Sequence, residues 1–449
     1  MNVSKRAIPL ALLLSGCATY TPRPLETPAT TAMLDAPVAS VLEAKANAID
    51  RPWLAPVTLD LSKPLTPDAI ATIAVVNNPD LKAQRVRAGV SDAQVFAAGL
   101  LPDPSVSLGV SKVLSGPDPL LDLTSGIGLA INALRTRGVT RTKAEADARQ
   151  VRLDLAWAEW QTAGQARLQA ARIVGQQQLV ALAEQSRAMN LSLLSRIQSA
   201  AGRGDIAGDR LQAAQLSLMN ATDTLRTAQS NLADAREQLD KLLGFPPETA
   251  VELAPIGLPP SPPPVATLFA LAKDSRTDLA ALRAGYRSQE AAVHQAVLDQ
   301  FPSLNLTFNS NRDSAGNLLV GPAVDFTLPL WNRNRGGIAV ARATRAALKA
   351  EYDARLFQTR ADIGTAVAGI KVAMQQRDDA LSGLPELRRY ALASQRAARR
   401  GDLSLETAQN AAQALRDRQM LVVQSETALM QQMIALELLT GAPREVWPQ

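Results

Sequence analysis

The octet SLNLTFNS, Ser303 to Ser310, alternates polar and apolar side chains without a miss, while the long stretches on either side carry helical spacing. Successive side chains in a strand point to opposite faces, so Leu304, Leu306 and Phe308 share one face and Asn305, Thr307 and Asn309 the other. Three more segments read the same way: Ser105 to Val110, Gly126 to Ala133 and Ala323 to Leu330. Val106, Leu108 and Val110 oppose Ser105, Ser107 and Gly109; Val324, Phe326 and Leu328 oppose Asp325 and Thr327. The expected strands cover about 104–112, 124–133, 302–310 and 322–331.

Four such strands admit two readings. They are amphipathic hairpins lying on a soluble helical core, or they are one chain's share of a bilayer-spanning barrel. A barrel requires strands of about 9 residues with apolar-out, polar-in alternation. Four strands leave their edges unpaired and cannot enclose an aqueous lumen, since known barrels start at about 8. On the second reading the chain must oligomerise to close.

The chain says everything twice. The run from Asn78, NPDLKAQRVRAGVSDAQVFAAGLLPDPSVSLGVS, lies without a gap over RTDLAALRAGYRSQEAAVHQAVLDQFPSLNLTFN from Arg276. Downstream, GRGDIAGD at Gly202 matches RRGDLSLE at Arg399, and LLGFPPE at Leu242 matches LTGAPRE at Leu439. Each unit of roughly 180 residues has one order: helix, strand, loop, strand, very long helix, tight turn, long helix. Between them ELAPIGLPPSPPPVA reads as an extended linker, because its prolines continue neither a helix nor a central strand.

From Val139 to Arg203 nothing stops a helix, and about 65 residues at 1.5 Å each reach roughly 95 Å, the length of a strut. The return helix carries a heptad seam: Leu211, Leu218, Leu225, Leu232 and Leu239, with Ala214, Ala221, Ala228, Ala235 and Leu242 three later. Ala408, Leu415, Val422, Leu429 and Leu436 keep that register in the second unit. Pro385 is expected to kink the second long helix. Gly138 and Gly336-Gly337 are expected to turn the chain from strand to helix. At Arg203-Gly204-Asp205 and Arg400-Gly401-Asp402, glycine lets one helix stop and the aspartate caps the next.

The front end, MNVSKRAIPLALLLSGC, has a short basic region, an apolar run too short to span a bilayer and a small-residue cleavage site. Leu14-Ser15-Gly16-Cys17 resembles the bacterial lipobox, which implies that Cys17, the only cysteine, is acylated after cleavage. Ala18 in place of an aspartate points by the same resemblance to the outer membrane. The expected division is a signal peptide 1–16, a lipidated tether 17–64, a first repeat 65–249, a linker 250–264, a second repeat 265–443 and a tail 444–449.

The remaining composition excludes classes. The formal charge of +5 is spread among interspersed acids and bases, without the aromatic interleaving of nucleic-acid binders. No phosphate loop, zinc motif or nucleophile elbow occurs, and His294, the sole histidine, has no second ligand beside it. No enzyme, cofactor or metal site is expected.

A duplicated strand hairpin with a long helical hairpin, a lipobox, and TLPLWNRNRGGIAVARA at Thr327 to Ala343 together resemble the TolC-type outer-membrane factors over about residues 65–443. LPLWNRNRG is similar to the cobalt-zinc-cadmium and nodulation-type lipoprotein branches. The resemblance implies a mainly α-helical homotrimer whose three sets of four strands form a 12-stranded barrel, continued by an α-helical periplasmic tunnel. It implies a passive exit duct for drugs or heavy-metal cations, docked onto a periplasmic adaptor and an inner-membrane pump. Val106, Leu108, Leu304, Leu306, Phe308, Val324, Phe326 and Leu328 would then face lipid, with Trp331 at the membrane boundary. Arg203, Gly204, Asp205, Arg400, Gly401 and Asp402 would form the adaptor-docking tips. Asp209 and Glu406 would be entrance charges, although Thr407 and Asn410 stand where further acids are expected. Two alternatives remain: a duct for type I protein secretion, and a coiled-coil periplasmic lipoprotein with a structural role.

Overall fold

The computed structural model describes residues 20–28, 34–35, 37–51, 54, 57–112, 114–115, 121–204, 208–247, 249–258, 260–313 and 316–448. The lipobox with Cys17, and Asp205 of the first tip, lie outside the described residues. After a short helix α1 (Ala39–Ala48), the first repeat runs α2 (Pro67–Asn77), α3 (Pro79–Gly99), β1 (Ser105–Lys112), β2 (Leu121–Ala130), α4 (Ile131–Gly202) and α5 (Gly208–Leu243). The second runs α6 (Val265–Ser275), α7 (Thr277–Leu298), β3 (Leu304–Arg312), β4 (Leu318–Phe326), α8 (Arg335–Ser382), α9 (Leu384–Arg400) and α10 (Leu405–Thr440). Helix dominates, and the described strands form a single antiparallel sheet in the order β1-β2-β3-β4.

Each repeat builds its own core where its short first helix docks on its helical hairpin. In the first, Ile70 and Ile73 of α2 pack with Ile173 of α4 and Leu239 and Leu243 of α5. In the second, Leu268 of α6 packs with Ile363 and Ile370 of α8 and Leu429 and Leu436 of α10. The heptad alanines of α5, from Ala214 to Ala235, are buried, so small contact residues let α4 and α5 approach closely. α4 also packs against α3, α7 and α10, which joins the repeats along one 72-residue helix. At 1.5 Å per residue that helix is about 108 Å long.

Both return helices end on a left-handed glycine, Gly244 (φ 65°) and Gly441 (φ 67°). A Cβ on Gly244 would stand 2.8 Å from the Asn77 carbonyl, and one on Gly441 3.0 Å from the Arg276 Cα. The freed carbonyls are met from the short-helix junction of the same repeat. Asn78 Nδ2 donates to Leu242 O at 2.9 Å in the first, and Arg276 Nη1 to Leu439 O at 3.2 Å in the second.

Several boundaries differ from expectation. β2 ends at Ala130 rather than 133, because Ile131 already starts α4: Arg135 donates to Asn132 Oδ1 and to Leu298 O, and Thr136 Oγ1 donates back to Asn132 O. β4 spans 318–326 rather than 322–331, pairing Leu318 to Pro322 with Arg312 to Phe308. Pro322 lies within β4, opposite Phe308 of β3. Pro329 then falls beyond the strand, with Leu328 and Trp331. Gly138 lies inside α4 and Gly336-Gly337 in the first turn of α8, so neither makes the strand-to-helix turn. Arg333 and Asn334, at φ 47° and 49°, make it in the second repeat. There Gly337 leaves room for the Asn334 side chain, whose Nδ2 donates to Ala296 O of α7 at 2.8 Å. The expected kink is a break at Gly383, just ahead of Pro385, where Arg418 of α10 donates to Ala380 O and Asp379 O.

Candidate functional site: the sheet and the hairpin tips

The pairing register turns the alternation of single strands into two continuous faces. Val106, Ile127, Phe308 and Pro322 lie in one row across the sheet, and Leu129, Leu306 and Val324 in the next. Leu304 pairs with Phe326, and Val110 with Leu123. These side chains are exposed, Leu108 to 82%. An apolar surface of this breadth on a single chain marks a lipid or protein interface.

The other face is polar and small. Ser105, Gly128, Thr307 and Ala323 form one row, and Ser107, Gly126, Asn309 and Gly321 the next. A Cβ on Gly126 would meet Asn309 Oδ1 at 2.6 Å and Ser107 Oγ at 2.8 Å, and one on Gly128 would meet Ser105 Oγ at 2.5 Å, so the polar side chains of the flanking strands fill the space over these glycines on this face. Asp122 and Asp325 are its only formal charges. β1 and β4, the two outer strands, have no ladder partner beyond them among the described residues.

β2 pairs with β3 and joins the two hairpins across the repeats, as one chain's four-stranded share of a barrel requires. The matching alternation of Ile127 and Leu129 with Phe308 and Leu306 carries that pairing. Leu328 and Trp331 are exposed, Trp331 to 87%, on the segment that follows β4.

The tips stand at the other end of the long helices. α4 ends at Arg203-Gly204, where Gly204 has φ 80°; α9 ends at Gly401, φ 83°, with Asp402 N–H donating back to Ala397 O at 3.0 Å. Asp402 does not cap α10 as expected. It pairs with Arg400 at 2.8 Å, and Ser404 is the cap, its Oγ accepting from Thr407 N–H at 3.1 Å. Ser404 sits one residue before the helix with the backbone extended, which an N-cap needs. Asp209 lies in the first turn of α5 and Glu406 in the first turn of α10, both exposed. His294 is exposed on α7, and no group of three His, Cys, Asp or Glu that could hold a metal occurs among the described residues. No described helix is long and apolar enough to cross a membrane.

Charge is buried where the repeats and the N-terminal segment meet. Glu159 of α4, 1% exposed, receives Arg51 at 2.8 Å and Arg85 at 2.6 Å. Asp240 and Glu437 hold the same place in the two return helices. Burial pushes the Asp240 carboxyl up to about 6, and it raises that of Glu437, which Arg167 and the Arg444 N–H offset.

The family model for outer membrane efflux proteins matches residues 268–442. No curated protein matches the chain in sequence. Among solved structures, CusC superposes with a TM-score of 0.68 at 15% identity, covering 88% of this chain and 99% of that one. The outer-membrane channel OprN gives 0.69 at 16% over 95% and 99%. The Campylobacter jejuni outer membrane channel CmeC gives 0.69 at 16% over 84% and 85%. The second repeat thus resembles the outer membrane efflux proteins in sequence, and the described chain shares the fold of these outer-membrane channel structures.

Proposed function

We propose that the protein is the outer-membrane duct of a tripartite efflux system, anchored through an acylated Cys17. Three copies join β4 of one to β1 of the next and so close a 12-stranded barrel, with the apolar rows toward lipid and the Ser, Gly, Thr and Asn rows lining a water-filled bore. The observation that supports this reading is a four-stranded sheet with one apolar face, one polar face and, among the described residues, two edges without a ladder partner. A sheet of that kind is stable in a bilayer only if the edges close, because lipid satisfies no backbone hydrogen bonds. Trp331 takes the membrane boundary, the long helices form the periplasmic tunnel, and the tips around Arg203 and Arg400 dock an adaptor. Small solutes, drugs or heavy-metal cations, pass without a dedicated ligand set, so selection rests with the inner-membrane pump.

Chemical cross-linking of the outer-membrane fraction tests the assembly. The expected product is a trimer whose loss by deletion sensitises cells to antibiotics or divalent metals; a soluble or inner-membrane monomer would sink the reading. Replacing Cys17 by Ala is expected to move the protein toward weaker membrane retention in the same fractionation.

A further inference from the structure

The molecule is electrically lopsided along its length. Segments 187–210 and 386–418, which make the two tips, hold eleven arginines, no lysine and six carboxylates, an excess equal to the formal +5 of the entire chain. Part of that charge lines a groove of about 320 Å³ between the end of α4 and the α9–α10 turn of the same chain. Arg196 comes from α4, Arg399 from α9 and Arg416 from α10, while no Asp or Glu is among the described residues that line the groove. Of the carboxylates nearest in sequence, Asp402 pairs with Arg400, Glu386 with Arg389 and Asp417 with Gln413, while Glu406 follows the wall residue Leu405 in the exposed first turn of α10. Arg416 bonds only to Met189 Sδ and the Ala412 carbonyl, and the buried Gln409 Nε2 on the groove wall has no acceptor. Leu193, Leu405, Ala398 and Ala408 supply apolar walls between these donors.

We infer that this groove receives a helix of a protein partner that inserts a glutamate or aspartate between Arg196, Arg399 and Arg416. The inference rests on the docking role proposed for the tips and adds the partner's chemistry: its contact end is acidic. Guanidinium groups that line one groove with no carboxylate among its described walls gain most from a carboxylate, which accepts two parallel hydrogen bonds from a guanidinium fork. Walls of leucine and alanine on neighbouring helices suit a third helix laid between them. Lipid is excluded as the occupant by distance, since α4 carries the tips roughly 100 Å from the sheet.

Three synthetic antiparallel coiled-coil hairpins test this, identical except for Glu, Gln or Lys at the turn-proximal positions. Each is titrated by fluorescence anisotropy into the full-length trimer in detergent. The Glu hairpin is expected to bind at least ~10-fold more tightly than its Gln twin. That preference should shrink between 50 mM and 500 mM salt, about the range over which exposed charges are screened. It should vanish in an R196Q/R399Q double variant, whose helicity is checked by circular dichroism. Equal affinity for the three hairpins, binding of none, or a preference that survives the double variant would overturn the inference. Conductance of the unaltered trimer in a planar bilayer tests the duct reading separately; its absence would strike that reading and leave the groove result standing.

Discussion

The two repeats agree along the sheet and at the ends of their return helices, and differ within the hairpins. Leu108 and Leu306 occupy matching places on the apolar face, and Gly244 and Gly441 end matching helices at nearly the same φ. Along the hairpins the match fails. The first repeat has one unbroken α4, whereas the second is broken between α8 and α9 at Gly383, with Pro385 following and Arg418 covering the freed carbonyls. Ser186, Ala188 and Ala221 stand at the corresponding places in the first repeat. Duplication thus preserves the strands and relaxes in the helices, where one hairpin is unbroken and the other carries a joint and most of the tip arginines.

The largest expected effect tests the agreement. Leu108→Arg and Leu306→Arg should each block barrel assembly, because an arginine near mid-bilayer on a lipid-facing strand costs ~2–4 kcal/mol. Asn305→Arg, on the polar face between them, should assemble. Heat-modifiable mobility in detergent gels reads all three, and a difference between the two leucine variants would break the equivalence of the repeats.

Next come the helix ends. Gly244→Ala and Gly441→Ala both place a Cβ against backbone at positive φ, and each should destabilise by ~2–3 kcal/mol in thermal unfolding. The joint should separate the repeats. Ala188→Pro in the first removes an interior helical hydrogen bond and should cost ~3 kcal/mol, while Pro385→Ala should be within ~1 kcal/mol of neutral. Arg418→Ala, which strands the Ala380 carbonyl, should fall between them at ~1–2 kcal/mol.

The smallest effect concerns the paired buried acids. Asp240 has an unbonded Oδ2 and a carboxyl raised to about 6, whereas Glu437 accepts from Arg444 N–H and lies 3.7 Å from Arg167. A carboxyl whose folded value lies above its unfolded value of about 3.8 favours its protonated form in the fold. Its cost is absent below pH ~4 and grows as pH rises through about 6. Asp240→Asn should therefore raise the melting temperature at pH 8 more than at pH 5, on the order of 1 kcal/mol. Glu437→Gln, which leaves Arg167 with less compensation, should not stabilise at either pH.

Much of this was legible in the residues. The strands announced themselves by period two, the long helices by the absence of any stop, and the duplication by matched runs. The misses have physical reasons. Alternation continues through Leu129, Ile131 and Ala133, so nothing local separates the end of β2 from the start of α4, which Arg135 and Thr136 decide. Leu318-Leu319-Val320 breaks the alternation and Pro322 reads as a strand breaker, so together they hide the start of β4. Asp402 and Ser404 are both good caps, and only backbone geometry selects Ser404. The arginine groove draws on α4 and, about 200 residues later in the chain, on α9 and α10, and leaves no local signature.

The central claim is the orientation of the sheet, and site-directed spin labelling at each position from 304 to 309 in the membrane-reconstituted trimer tests it most directly. Labels at 304, 306 and 308 should relax preferentially with oxygen, which partitions into lipid, and labels at 305, 307 and 309 with a water-soluble nickel chelate. Equal exposure of all six to the chelate, or the opposite alternation, would contradict a barrel with its leucines toward lipid.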